Sequence, residues 1–431
     1  MSKEKIDYGQ GIYDAPGQLG WGRTIVLGIQ HVFAMFGATV LVPILTGLSI
    51  SVTLLCAGVG TLLFHFLAKG KVPAFLGSSF AFLGGFAVVS PMVDGMPNTE
   101  MLPYACGGIV IAGLLYVVVA ALIKVFGIKR VMRLFPPVVT GPIIILIGLI
   151  LAPSAITNCQ ANWLLAVITM LLIIGCNIWG KGMIKIIPIL IGIVGAYIIA
   201  LIAGWVDYSG LATAAAVGIP PFTIAKFSGS AILTMAPIAL ATMMEHVGDI
   251  SAISATCGKN FIANPGLHRT LLGDGLATSL AGLVGGPANT TYGENTGVLA
   301  LSKIYDPLVI RIAAVLAIIL SFSPKFEAVI NTIPTGIIGG ISFVLYGMIS
   351  AIGVRNVVEN RVDFTNSRNL IVAAVILVCA LGFNSVGGVG FTVGSVTINL
   401  SGLAVAAIAG ILLNACLLYT SPSPRDPKTS R

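Results

Sequence analysis

Charge is what this chain has least of. Asp, Glu, Lys and Arg make up only 9% of its 431 residues, against about 25% in a soluble domain, and that scarcity excludes an ordinary solvated globule. Cysteines are few and scattered, at positions 56, 106, 159, 176, 257, 379 and 416, with no C-x-x-C pair. The spacing supports neither a disulfide framework nor a metal cluster, so they read as small apolar packing residues, and no metal or other cofactor is expected. A Gly-x-Gly-Asp motif, a metal-ligand cluster and a Ser/His/Asp constellation are all missing, which argues against an enzyme. No cleavable signal peptide is expected either: Met1–Gly22 is polar, and the apolar run after it is too long for a signal core.

What is present is hydrocarbon. The chain is 57% hydrophobic with a mean hydropathy of +1.02. Apolar runs able to cross ~30 Å of bilayer recur about fourteen times. Thr24–Leu45, Val52–Ala68, Tyr104–Val125, Trp163–Trp179, Ile186–Trp205, Leu308–Phe322 and Leu370–Leu381 are examples, and several other runs are interrupted by Gly or Pro. The expected class is an all-α polytopic membrane protein whose partner is the lipid bilayer.

The net charge of +8 reflects topology. Lys3, Lys5 and Arg23 precede the first span. Lys69/Lys71, Lys124/Lys129/Arg130/Arg133, Lys181/Lys185, Lys259/Arg269, Lys303/Arg311 and Arg355/Arg361/Arg368 then fall in every second connection. The intervening connections hold only Lys226 and Lys325, alongside Asp94, Glu100 and Asp207. By the positive-inside rule both termini are cytoplasmic and the number of spans is even. A nucleic-acid partner is not expected.

One stretch at membrane depth breaks the pattern. Pro287-Ala-Asn-Thr-Thr-Tyr-Gly-Glu-Asn-Thr-Gly297 is full of helix breakers and carries Glu294. Irregular backbone survives in a membrane only where protein buries it or where it lines a polar cavity, and an ionisable residue there marks a functional site. The first half holds a counterpart, Val72-Pro-Ala-Phe-Leu-Gly-Ser-Ser-Phe-Ala81, in which Phe80 follows Pro73 as Glu294 follows Pro287. Pro137-Val-Val-Thr-Gly141 and Pro334-Thr-Gly336 form a second pair, each opening an Ile/Gly-rich span.

Taken as third and tenth, and fifth and twelfth spans, both pairs share an offset of about seven, and an odd repeat in one membrane is inverted. The expected organisation is a cytoplasmic segment over 1–22, a first repeat over 23–205, a second over 206–418, and a non-native tail over 419–431. In that tail the last apolar run gives way to Tyr-Thr-Ser-Pro-Ser-Pro-Arg-Asp.

Of the fifteen acids, only Glu245, Asp249, Asp274 and Glu294 lie within plausible spans. Glu245 and Asp249 are four apart and share a helical face. Two carboxylates so placed cannot both ionise cheaply in a low-dielectric site, so one of them is expected to hold a proton near neutrality, as proton coupling requires. His246 points about 100° away from Glu245, which leaves it as a structural residue or a relay. His31 reads as an interhelical hydrogen bonder. Asp274, between Gly273 and Gly275, caps backbone near the pocket or touches substrate, and Tyr346 is packing or gate.

These residues carry a resemblance. Thr290-Thr-Tyr-Gly-Glu-Asn-Thr-Gly-Val-Leu-Ala-Leu-Ser-Lys303 resembles the signature of the nucleobase-ascorbate transporter family. So do Gln30-His-Val-Phe-Ala-Met-Phe-Gly-Ala-Thr-Val-Leu-Val-Pro43, Pro73-Ala-Phe-Leu-Gly-Ser-Ser-Phe-Ala-Phe82, Glu245-His-Val-Gly248 and Pro265-Gly-Leu-His-Arg269. The likeness runs from Gly20 to Ala415 and is strongest to the uracil:proton symporter branch.

It implies about fourteen spans in two inverted repeats, with short extended segments in broken spans three and ten. It also implies a core domain from spans 1–4 and 8–11, a gate domain from spans 5–7 and 12–14, and a homodimer in the cytoplasmic membrane of a bacterium. Glu245 and Glu294 resemble the family's substrate-binding carboxylates, Phe80 and Gly293 its backbone contacts, and Ala38 and Tyr292 its pocket lining. Tyr346 resembles a gate residue. Asn295 and Ser79 join Tyr346, His246 and Asp274 as accessory candidates, and the co-transported proton is assigned to Glu245 and Asp249.

Departures from the family pattern leave the substrate open between uracil and a purine such as xanthine. Asp249 stands where a uracil carrier has His, and Asp274 where it has Asn; purine carriers often have Asp at both. Glu294 favours uracil, since purine members typically carry Gln there. Uracil presents two ring N–H donors beside carbonyls, and an ionised carboxylate is acceptor-only. A channel and an anion carrier of the sulfate type are the competing readings. The paired broken spans argue against the first, and the two glutamates against the second.

Overall fold

A computed structural model of the chain describes residues 11–91, 97–131, 136–393 and 396–420. Lys3, Lys5, Asp94, Arg133 and the expected tail beyond Thr420 lie outside the described residues. The first half runs α1 (Ala15–Leu19), α2 (Trp21–Thr46), α3 (Ile50–Leu67), β1 (Leu76–Ser78), a 3-10 turn (Phe80–Phe82) and α4 (Leu83–Val89). It continues through α5 (Leu102–Phe126), α6 (Ile128–Val131), α7 (Pro137–Gln160), α8 (Trp163–Trp179), α9 (Met183–Ile186) and α10 (Pro188–Ile202). The second half opens with α11 (Gly229–Met235), α12 (Ile238–Cys257), α13 (Leu267–Leu283), β2 (Asn289–Thr291) and α14 (Gly293–Ser302). It closes with α15 (Pro307–Ser321), α16 (Pro324–Asn331), α17 (Thr335–Glu359), α18 (Ser367–Ser385), β3 (Val389–Val393), β4 (Val396–Leu400) and α19 (Gly402–Thr420).

The helices begin and end where local chemistry directs. Gly47, in the left-handed conformation, closes α2, and the Ser49 side chain accepts from Val52 N to open α3. Among the described residues seven helices, α11–α12 counted as one, are long and apolar enough to cross a membrane, and α15–α16 form one further pair bent by 86°. Leu171 on α8, Ile198 on α10 and Val378 on α18 are exposed. In water such surfaces would be costly; against acyl chains they are not.

Two sets of helices pack closely. In one, α5 lies along α13, and α3 against both α13 and α15; in the other, α7 lies along α17, with α8, α10, α18 and α19 around them. Close approach depends on glycine. A Cβ at Gly113 of α5 would stand 2.5 Å from the Gly275 carbonyl of α13, and one at Gly353 of α17 would stand 2.5 Å from Ile145 N of α7.

The two broken segments meet each other. β1 and β2 pair antiparallel with Leu76 opposite Thr291, Gly77 opposite Thr290 and Ser78 opposite Asn289. Ser79 N donates to Ala288 O at 2.8 Å and Tyr292 N to Phe75 O at 3.0 Å, extending the ladder at both ends. Each segment thus satisfies backbone groups that lipid could not.

One expectation needs correction. Extended structure was expected only in the two broken spans, but β3 and β4 form a second antiparallel pair between α18 and α19; the β-branched Val396-Thr-Ile398 run was its local signal. The segment before α2 is fastened to the second half of the chain. Ile12 bridges Ile304, with Ile12 N donating to Lys303 O at 2.8 Å, and Ala15 N donates to Asp306 Oδ2 at 2.9 Å. Burial of Ile12 and Ala15 holds it there.

Candidate functional site

Where each short strand ends, a helix begins without a side-chain cap: at Phe80 after β1, and at Gly293 after β2. Uncapped first-turn N–H groups and the helix dipole together make an acceptor-binding end. A Cβ at Gly293 would meet nothing within 4 Å, so the backbone there is open to an approaching ligand. Glu294 follows in the first turn of α14, half-buried, and Phe80 is half-buried across the strand pair.

The facing wall is α12. Glu245 and Gly248 are exposed and Asp249 is half-buried, so this helical face borders an open cleft. A Cβ at Gly248 would also meet nothing within 4 Å. Glu245 lies within electrostatic reach of Asp249, Asp274 and Glu294. Asp249 Oδ2 accepts from Thr291 Oγ1 at 2.7 Å, which ties α12 to β2.

Other candidates are turned away from the cleft. Tyr292 is buried. Its hydroxyl donates to Ser78 O at 3.0 Å and lies 3.3 Å from Thr39 Oγ1, so it braces the strands rather than lining an open pocket. Ala38 is buried as well, and its carbonyl accepts from Ser78 Oγ at 3.3 Å. Asn295 Nδ2 donates to His31 O at 3.1 Å, joining α14 to α2. Ser79 is buried on the strand pair.

The open alternatives for the remaining residues narrow. His246 Nδ1 stands 2.9 Å from Asp274 Oδ2, both fully buried, with the Phe64 ring edge-on to the imidazole at 6.2 Å. Asp274 therefore faces a histidine and not the cleft, and His246 has the orientation its 100° offset from Glu245 implies. Tyr346 is also buried, packed in the interior of α17, where an exposed gate residue would face the opening.

Three supporting residues were missed. His65 Nε2 lies 2.9 Å from Ala74 O, and Arg311 Nε donates to His65 Nδ1 at 3.3 Å, so the approach to β1 is fixed by a histidine and an arginine. Glu327 of α16 accepts from Ile50 N at 2.9 Å and Ser51 N at 3.3 Å, an acid against the positive end of α3. Their sequence signals were a lone His, a loop Arg and a loop Glu, none distinctive.

The chain that carries this arrangement has known relatives. Residues 22–387 match the permease family. The chain belongs to that family. The uracil permease of Bacillus subtilis is 40% identical across 99% of this chain and 98% of its own length. That of Bacillus caldolyticus is 42% identical across 92% of each, and the uracil permease of Escherichia coli K12 is 38% identical across 91% and 90%. The resemblance read from the five motifs is thereby borne out, and this permease is a transporter rather than an enzyme.

Solved structures share its fold at low identity. The transmembrane domain of the cyanobacterial bicarbonate transporter BicA superposes with a TM-score of 0.59 at 15% identity, covering 94% of this chain and 99% of that one. The murine anion transporter Slc26a9 gives 0.67 at 10% identity over 97% and 69%. The fold is that of a helical, polytopic membrane transporter.

Proposed function

We propose that this permease imports uracil together with a proton, by alternating access around a site between Glu245 and Glu294. The observation that carries the reading is the meeting of Glu294, in the first turn of α14, with the open Glu245 face of α12 beside the uncapped ends at Phe80 and Gly293. Two carboxylates suit the two ring N–H donors of uracil, and backbone N–H groups suit its carbonyls. The names of the relatives agree with this substrate. Xanthine was favoured by Asp249 and Asp274. Pairing of Asp274 with His246 and of Asp249 with Thr291 weakens that reading, because neither acid is left to face a purine unpartnered.

The finer architecture belongs to the same proposal. Seven long helices, one bent pair, the four shorter apolar helices Phe80–Val89, Trp163–Trp179, Pro188–Ile202 and Gly402–Leu417, and then α13 and α14, would make fourteen crossings. The packing supports an inverted repeat: α5 on α13 is matched by α15 on α3, and α8 on α17 by α18 on α7, under the same seven-span offset. Antiparallel pairing of β1 with β2 is what such a two-fold would produce. On this reading α2–α5 and α11–α15 form the core, α7–α10 and α17–α19 the gate, and both termini are cytoplasmic. A homodimer in a bacterial cytoplasmic membrane is the expected assembly, and Glu245 with Asp249 holds the proton.

Uptake of labelled uracil and of labelled xanthine into proteoliposomes, with and without an inward proton gradient, tests the proposal. Uracil should accumulate, and only with the gradient. Accumulation of xanthine in its place would reassign the substrate, and gradient-independent uracil equilibration would remove the coupling.

A further inference from the structure

A cavity of about 680 Å³ opens away from the carboxylates, between the first turns of α2, the far end of α14 and the short helix α9. Leu19, Val26, Leu27, Met183 and Leu301 give it apolar walls, and Arg23 stands among them. Its size is that of a small-molecule site, about 300–1,000 Å³. Val26 is 56% and Leu301 55% exposed, so the walls are bare of protein on one side.

Of the described residues, Arg23 is the one charged residue that lines it. Among the described residues Arg23 makes no hydrogen bond or ion pair, and no lining residue is acidic. Lys181 and Lys185 flank the lining residues Gly182 and Met183, and Lys303 follows Ser302. Trp21, 62% exposed, lies two residues from Arg23 in the same turn of α2. Tryptophan collects at the headgroup level of a bilayer, so Arg23 sits where lipid phosphates are and the apolar walls extend toward the acyl chains.

We infer that this wedge is a binding site for one anionic phospholipid, its phosphate on Arg23 and an acyl chain between Val26 and Leu301. An uncharged nucleobase in transit would leave the guanidinium unused, whereas basic pockets between membrane helices recruit anionic headgroups. The wedge also bridges two bodies: α2 and α14 belong to the proposed core, with Glu294 on α14, and α9 to the proposed gate. On that reading of the function, a lipid held there bears on the relative motion of the two. Binding itself does not depend on that reading.

Native mass spectrometry of the purified permease, titrated with phosphatidylglycerol or phosphatidylcholine, tests lipid binding without any transport measurement. The wild type should bind phosphatidylglycerol about fivefold more tightly, the effect of one arginine near an anionic headgroup. Arg23→Gln should abolish that preference, while Lys325→Gln, on α16 outside the wedge, should keep it. Leu301→Trp, which fills the wedge and leaves the charge intact, should weaken phosphatidylglycerol binding as well. Equal binding of the two lipids by the wild type, or an Arg23→Gln variant indistinguishable from it, overturns the site. A Leu301→Trp variant that binds phosphatidylglycerol as tightly as the wild type would mean bare surface charge and overturns it too. Displacement of the lipid by inorganic phosphate alone would mean an anion site without a lipid and also overturns it.

Discussion

Residues 73–80 and 287–294 each run from a proline through a paired strand to the first turn of a helix, yet the first ends on Phe80 and the second on Gly293-Glu294. Their backbones depend on each other, since neither strand is satisfied without its partner across the Leu76–Thr291 register. Their chemistry does not match. Helices α2–α10 contain no acid, and all four membrane-depth carboxylates, Glu245, Asp249, Asp274 and Glu294, lie in the second half. The two segments supply two similar helix ends, but their side chains differ: Glu294 stands at one and the apolar Phe80 at the other. A carboxylate at both helix ends would add a further like charge to Glu245 and Glu294 in low dielectric.

The comparison predicts a strict order of damage. Removing the carboxylate on the acidic wall should be worst: Glu245→Ala should abolish uracil binding with the fold intact, read as loss of the ligand-induced thermal shift. Equal stabilisation of wild type and variant by uracil would remove Glu245 from the site.

Glu294→Gln keeps the shape of the wall but turns a donor toward a ring N–H. Its expected cost is about 1–3 kcal/mol of uracil affinity, the penalty of unpaired buried polar groups, with purine binding improved. Competition binding with uracil and xanthine measures both, and unchanged uracil affinity would break the asymmetry argued here.

Asp249→Asn should leave substrate exchange largely intact while flattening the pH-gradient drive, because the shared α12 face loses one of its two coupled carboxylates. Counterflow and uphill uptake, compared in one preparation, separate the two effects. Uphill accumulation with wild-type pH dependence would make Asp249 a bystander.

A pair of glycines sharpens the contrast at the smallest scale. A Cβ at Gly77 would run into the Tyr292 ring that braces the strands, so Gly77→Ala should lower stability by about 1–3 kcal/mol. Gly293→Ala meets open space and should unfold at the wild-type temperature while binding uracil less well. Thermal unfolding of the two, without and then with uracil, tests the distinction. Parallel losses of stability would show that Gly293 is packing.

The acids and chain breaks were legible because their signals are local. An acid inside an apolar run, two acids four apart and a proline-glycine break where a span is due each need only a short window of chain. The orientation of Asp274, Asn295 and Tyr346 was not legible, because it is set by partners far away in sequence. Asn295 meets His31 across 264 residues, and Asp274 meets His246 on a neighbouring helix. Nothing local marks Glu327, and only the fold brings the start of α3 to it.

The sequence alone determined that this chain lives in a membrane, that two stretches with the same proline spacing interrupt its apolar runs, and that few acids lie among those runs. Hydropathy and helix breaking are sums over neighbouring residues, so they can be read one stretch at a time. Only the tertiary structure decided which acids border the cleft, which pair off inside the protein, and that the two breaks complete each other's hydrogen bonds. Those outcomes depend on which faces of distant helices meet, and packing between them is a property of the assembled chain that no short window contains.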